Sequence, residues 1–155
     1  MKYFFALLFF IFSINTSYAQ QAPEFSLPTE SGEQIVLHDF KGKPVVIHFW
    51  ATWCPYCKKL QPTLDNLSKK YQDKGVNFIA ISLWEDEGAT PQKVINERGF
   101  SFQTAINGDS IAEKYNVKGT PTTIFINKSG EIIWATGLSD PTSPKWEQAF
   151  KAITK

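Results

Sequence analysis

The stretch "HFWATWCPYCKKL", His48–Leu60, contains both cysteines of the chain, Cys54 and Cys57. Just upstream and overlapping it, "PVVIHFWA" (Pro44–Ala51) is a near-continuous apolar run rich in β-branched and aromatic residues. That pattern marks a strand buried on both faces, as in a parallel sheet. Downstream, Leu60, Leu64, Leu67 and Tyr71 recur at helical spacing, which predicts a helix from Cys54 or Pro55 to Asp73. Pro55 suits its first turn, where an N–H would have no partner, and Pro62 is expected to kink it.

Cys54 therefore falls where a buried strand hands over to a helix N-terminus. Backbone N–H groups and the positive helix end favour an anion there, so the Cys54 thiolate is favoured. The two-residue gap puts Cys57 one turn along, within reach of the Cys54 sulfur. Cys54, as the exposed nucleophile, attacks a partner disulfide, and Cys57, buried, resolves the mixed disulfide; run backwards, the same steps oxidise a dithiol. As a staple the pair is badly placed, because so short a loop restricts the unfolded chain least. As metal ligands the cysteines have only His38 and His48 for histidine company, both upstream of Cys57. Four ligands for a closed zinc site are not available.

The whole chain of 155 residues is 43% hydrophobic and 20% charged, enough for one globular domain and too short for two. A net charge of +1 without a basic stripe argues against nucleic acid and anionic membrane surfaces as partners. Residues 1–19 read as an export signal: Lys2 supplies the positive start, Tyr3–Ile14 is a short apolar core, and Ser17-Tyr18-Ala19 resembles a cleavage site. The apolar core is shorter than the ~20 residues that span a bilayer, so cleavage after Ala19 is expected, with retention as an anchor the competing reading. The domain is then residues 20–155, working in a periplasm or an equivalent oxidising space where disulfides persist.

Along the rest of the chain, a turn at Glu30–Glu33 leads to a short strand at Gln34–Leu37. Strands are expected at Gly75–Leu83, Phe100–Ile106, Thr122–Ile126 and Ile132–Thr136, the last two as a hairpin across "NKSG". Helices are expected from Thr90-Pro91 to Arg98, over Ser110–Tyr115 with Asp109 as its cap, and over Ser143–Ile153. The order implies an α/β fold, a mixed sheet with helices on both faces.

The pieces "FWATWCPYC", "GVNFIAIS" and "YNVKGTPTTIFINKSGEII", together with an extra helix-plus-strand segment around Thr90–Ile106, resemble the thioredoxin fold, and more narrowly the exported TlpA/ResA/DsbE type of thiol–disulfide oxidoreductase. The likeness spans roughly Ala22–Ile153 and implies a central mixed sheet flanked by helices, with an N-terminal β-extension and an inserted helix–strand segment. It implies that Pro121 is a cis-proline whose loop packs beside the cysteines, and that the Thr120 backbone pairs with an incoming peptide strand. No cofactor and no metal are needed. The implied partners are protein or peptide disulfides and thiols, with a membrane-embedded thiol donor if the protein is a reductase; a monomer is expected.

Three residues depart from that likeness. His48 stands where thioredoxin keeps a buried acid; it is either a neutral, hydrogen-bonded core histidine or a proton acceptor for Cys57. Leu60 stands where the cytochrome c maturation reductases of this group usually carry Glu, which puts that role in doubt. Pro55-Tyr56 is the glutaredoxin dipeptide, while Pro after the first cysteine also occurs in strong periplasmic oxidants. Potentials for such folds run from about −270 to −120 mV, so the direction of electron flow stays open. Trp50 reads as core, Trp53 as apolar rim or simple packing, and Tyr56 as exposed to partners. Glu85, Asp86 and Glu87 form either a solvated loop or a charge that biases partner choice. Two rival functions have specific tests. A thiol peroxidase would need Thr or Ser where Ala51 stands. A copper-delivery module would hold Cu(I) through soft ligands, but with CxxxC rather than this spacing.

Overall fold

The computed structural model describes residues 20–155, and the expected export signal lies outside them. Hydrophobic pattern decides the centre of the molecule. The run identified above forms β3 (Val45–Trp50), buried along its whole length. It pairs in parallel with β4 (Asn77–Ser82) on one side and antiparallel with β6 (Thr122–Ile126) on the other. The two-residue β5 (Thr104–Ala105) extends the parallel half, and β7 (Ile132–Thr136) extends the antiparallel half, giving the order β5-β4-β3-β6-β7. The mixed sheet of the expectation is present.

Side chains of β3 alternate between two cores. Val45, Ile47 and Phe49 join Ile79, Ile81, Ile124 and Ile126 in an apolar cluster covered by α3 (Asp109–Lys114) and by the N-terminal hairpin of β1 (Ser26–Pro28) and β2 (Gln34–Val36). On the opposite face Val46 packs with residues of α1 (Pro55–Tyr71) and α4 (Lys145–Ile153), and Trp50 packs with the cysteines and Ile95 of α2 (Pro91–Glu97). The N-terminal extension clasps both sheet edges: Gln21 bridges Glu131 beside β7, and Thr29 bridges Ala105 of β5. These bridges occupy one end of each edge and limit its pairing with further strands.

Several local expectations are corrected by tertiary partners. The strand read at Phe100–Ile106 shrinks to two residues because the Gln92 side chain accepts from the Thr104 amide (2.8 Å) and donates to the Phe102 carbonyl. Phe102 meanwhile packs on Phe78, ring centroids 5.0 Å apart. Thr90 makes no side-chain cap on α2; Glu30 instead accepts from the Gln92 amide at 2.6 Å. Asp109 is not the cap of α3, whose N-cap is Gly108, and it accepts from the Trp84 amide. Gly108 is required by space, since a Cβ there would lie 2.3 Å from Ile81 Cγ2 and 2.8 Å from the Ser82 carbonyl oxygen. Helix α1 runs on past Pro62. Pro62 and Lys58 both lie on its exposed side, where water can take the carbonyl left without a donor.

Candidate active site

Cys54 is the N-cap of α1, in extended backbone (φ −77°, ψ 109°), and Pro55 opens the helix. The Cys54 sulfur accepts from the Cys57 amide at 3.1 Å, so it sits on the unpaired N–H groups of the first turn. The two cysteines are disulfide-bonded, with Cα atoms 5.3 Å apart. The expectation of an exposed Cys54 needs correction. Cys54 is 2% exposed and Cys57 0%, both packed in the cluster of Trp50, Ala51, Ala80, Ile95 and Phe102. In the oxidised state the Cys54 sulfur is turned inward to its partner, and exposure at this end passes to Trp53 (52%) and Tyr56 (61%).

The Thr120–Pro121 peptide is cis, as the resemblance implied. The register pairs Phe49 with Thr122, so the next residues along, Trp50 and Pro121, bring the proline loop to the end of β3 that delivers Cys54. Beside this loop lies an open cavity of about 620 Å³ lined by Tyr115, Gly119, Thr120, Pro121, Thr136 and Gly137.

His48 is fully buried, its Nδ1 3.2 Å from Thr123 Oγ1 and its Nε2 without a partner. Burial pushes its pKa down to about 3, so the ring is neutral at ordinary pH. That is the core histidine of the first alternative, and at this pKa it is a weak proton acceptor. Leu60 is fully buried among Val46, Leu64 and Phe125. Trp50 is core, as expected, with its Nε1 unpartnered.

Three residues that the sequence reading passed over or misjudged, Trp84, Glu85 and Arg98, converge on the cysteine loop. Trp84 holds left-handed backbone (φ 52°), an uncommon state for a bulky residue, and is 41% exposed. Its carbonyl accepts from Trp53 Nε1 at 2.8 Å, joining two tryptophans at the site rim. Glu85 is no solvated loop residue: its carboxylate accepts from the Thr52 amide (2.8 Å), the Thr52 hydroxyl and the Ser82 hydroxyl. Asp86 and Glu87 are exposed. Arg98, at the end of α2, donates to Gln61 Oε1 and, at 3.4 Å, to the Thr52 carbonyl, with its guanidinium 5.6 Å from the Trp50 ring. Burial lowers the Arg98 pKa from its ordinary value, and Glu85 acts against that shift. Nothing in the local pattern near Arg98 marks it as part of the site; the only available signal is a lone cation ending an inserted helix. Among the described residues no three His, Cys, Asp or Glu side chains group as metal ligands.

A sequence model of the AhpC/TSA family matches residues 18–135. A relative from Bacillus thuringiensis (strain Al Hakam), named thiol-disulfide oxidoreductase ResA, is 35% identical over 136 residues, covering 87% of this chain and 78% of the relative. The thioredoxin-like protein YneN of Bacillus subtilis (strain 168) is 38% identical over 115 residues, covering 73% of this chain and 67% of that one. A crystal structure from Chlorobium tepidum, provisionally assigned as the thiol:disulfide interchange protein DsbE, superposes with a TM-score of 0.78 at 28% identity, covering 88% of this chain and 97% of the other.

Proposed function

The chain belongs to the AhpC/TSA family and is a thiol–disulfide oxidoreductase with a thioredoxin-like fold, and we propose that it uses Cys54 and Cys57 to reduce or exchange disulfides of proteins outside the cytoplasm. The observation that carries the assignment to these two residues is the Cys54 sulfur at the start of α1, bonded to Cys57 and accepting the Cys57 amide. When the disulfide is reduced, the same amide and the helix end stabilise the Cys54 thiolate.

In the forward direction the Cys54 thiolate attacks one sulfur of a partner disulfide, and the other partner sulfur leaves as a thiolate and takes up a proton. Cys57 then loses its proton and attacks Cys54, releasing the second partner thiol. Two electrons and two protons pass to the partner, and the Cys54–Cys57 disulfide is restored. The cavity beside Thr120 and Pro121 supports a reading in which the partner's backbone lies along this loop, with Trp53 and Tyr56 at the rim. A membrane-embedded dithiol would resupply electrons to an exported protein. Residues 1–19 support export through their signal-like pattern, and the working form is residues 20–155 as a monomer. A thiol peroxidase is disfavoured by Ala51, buried and without a hydroxyl three residues before Cys54.

The experiment is turbidimetric insulin reduction with dithiothreitol, paired with trapping by Cys57→Ser in an extract of the oxidising compartment. Catalysed insulin reduction and a ladder of dithiothreitol-sensitive mixed disulfides are expected. Wild-type protein no better than dithiothreitol alone would sink the assignment. The equilibrium potential against glutathione sets the direction: near −270 mV for a reductase, near −120 mV for an oxidant.

A further inference from the structure

Thr52, two residues before Cys54, has its peptide held between opposite charges. Its N–H and hydroxyl donate to the Glu85 carboxylate, and its carbonyl accepts from the Arg98 guanidinium. The two charges come from different parts of the chain, Glu85 from the loop after β4 and Arg98 from the end of the inserted α2. Arg98 also grips Gln61, one helical turn beyond Cys57 on α1, and lies over Trp50, which packs against both cysteines. The guanidinium thus contacts the chain on both sides of the CxxC. Gln61 is 0% exposed, and among the described residues Arg98 is the only hydrogen-bond partner of its side-chain amide, whose Nε2 has none.

We propose that Arg98 and Glu85 are opposed positioning residues that set the acidity of the Cys54 thiol, Arg98 favouring the thiolate and Glu85 offsetting it, with Thr52 as the bridge between them. A positive charge near a thiol favours its anion and a carboxylate disfavours it. In the native protein the two largely cancel, so the helix end governs Cys54. The inserted helix is then more than a covering for the sheet: it delivers a cation to the rear of the redox loop. Other ionisable groups around the site enter less directly. His48 on β3 is neutral and buried. Asp65 on α1 is buried but paired with Lys69 at 2.6 Å, while Lys58 and Lys59 on α1, Asp86 and Glu87 after β4, Asp109 on α3 and Lys118 before Pro121 are all exposed and screened by water. This inference rests on the redox reading of Cys54 but is measured independently of it.

The test uses the Cys57→Ser background, which leaves one thiol, and reads the Cys54 pKa from the pH dependence of iodoacetamide alkylation. Glu85→Gln is expected to lower that pKa by about half a unit, roughly a threefold gain in thiolate at a pH below it. Arg98→Met is expected to raise it by a similar amount, Arg98→Lys to stay near the parent, and the Glu85→Gln/Arg98→Met double variant to return toward the parent. A merely structural role loosens the loop in all variants and moves them one way. Single variants that shift in the same direction, no shift in either, or Arg98→Lys behaving as Arg98→Met would overturn the proposal. Each variant's thermal melt reports folding, and Arg98→Lys with Glu85→Gln still decides the sign if Arg98→Met does not fold. Wild-type protein inactive on insulin overturns the redox reading instead, and leaves the alkylation titration readable.

Discussion

The two faces of β3 bury very different things. Toward α3 and the N-terminal hairpin, Val45, Ile47 and Phe49 pack into an apolar cluster. Toward α1 and α2, the same strand presents His48 and Trp50 to a region that also buries Cys54, Cys57, Gln61 and Asp65. On that second face His48 Nε2, Trp50 Nε1, Gln61 Nε2 and Asp65 Oδ1 are buried without partners among the described residues. An unsatisfied buried polar atom costs about 1–3 kcal/mol, so the polar cluster around the cysteines is kept despite its cost, beside a second apolar core that Val46 builds with α1 and α4 on the same face. The two-residue period of one strand keeps that polar cluster off the first face.

That separation can be broken most directly at the sulfurs. Cys54→Ser removes insulin reduction altogether while the fold, read by circular dichroism, persists without the disulfide; loss of the fold instead would show that the cysteine pair is structural. On the first face Phe49→Ala should lower unfolding free energy by about 3–5 kcal/mol in urea titration. Its Cys54 alkylation profile should stay where it was, and a shift would mean that the faces are coupled.

His48 sharpens the contrast through pH. Its pKa is about 3 when folded against an ordinary 6.5, so between those values the unfolded chain binds a proton that the folded chain refuses. Its contribution to stability is therefore complete above about pH 6.5 and is lost as pH falls toward 3, by about 1.4 kcal/mol per pH unit at the steepest. In His48→Leu that part of the slope disappears; an unchanged acid-unfolding curve would show that the ring is not buried neutral. The smallest effect lies at the α1–α4 seam, away from the sulfurs. The Tyr71 hydroxyl donates to Glu147, and burial together with that carboxylate pushes the Tyr71 pKa up to about 12. Tyr71→Phe should cost about 1 kcal/mol in urea titration and leave insulin reduction unchanged, since Tyr71 is remote from the cysteine cluster.

How much could be read in advance depended on the range of the interaction. β3, α1 and the β6–β7 hairpin follow from periodicity and turn residues within one window, and they appear close to the positions read from the sequence. Cys54 at a helix start was legible for the same reason. Phe100–Ile106 has the composition of a strand but lost most of it to the Gln92 side chain, a partner ten and twelve residues upstream of the groups it binds. Thr90 and Asp109 have the residue types of caps, yet Glu30 serves α2 and Asp109 turns to Trp84. Glu85 read as loop charge because nothing nearby in sequence reveals that Thr52 awaits it.

The sequence by itself determined a buried strand running into a helix with a cysteine at the junction, because burial and helix start are written in local spacing. Only the tertiary structure decided what surrounds those sulfurs: Glu85 and Arg98 on one peptide, Trp84 against Trp53, and Pro121 at the end of β3. Those contacts join residues 31 to 71 positions apart, and no pattern of neighbours encodes which distant side chain closes on a given loop.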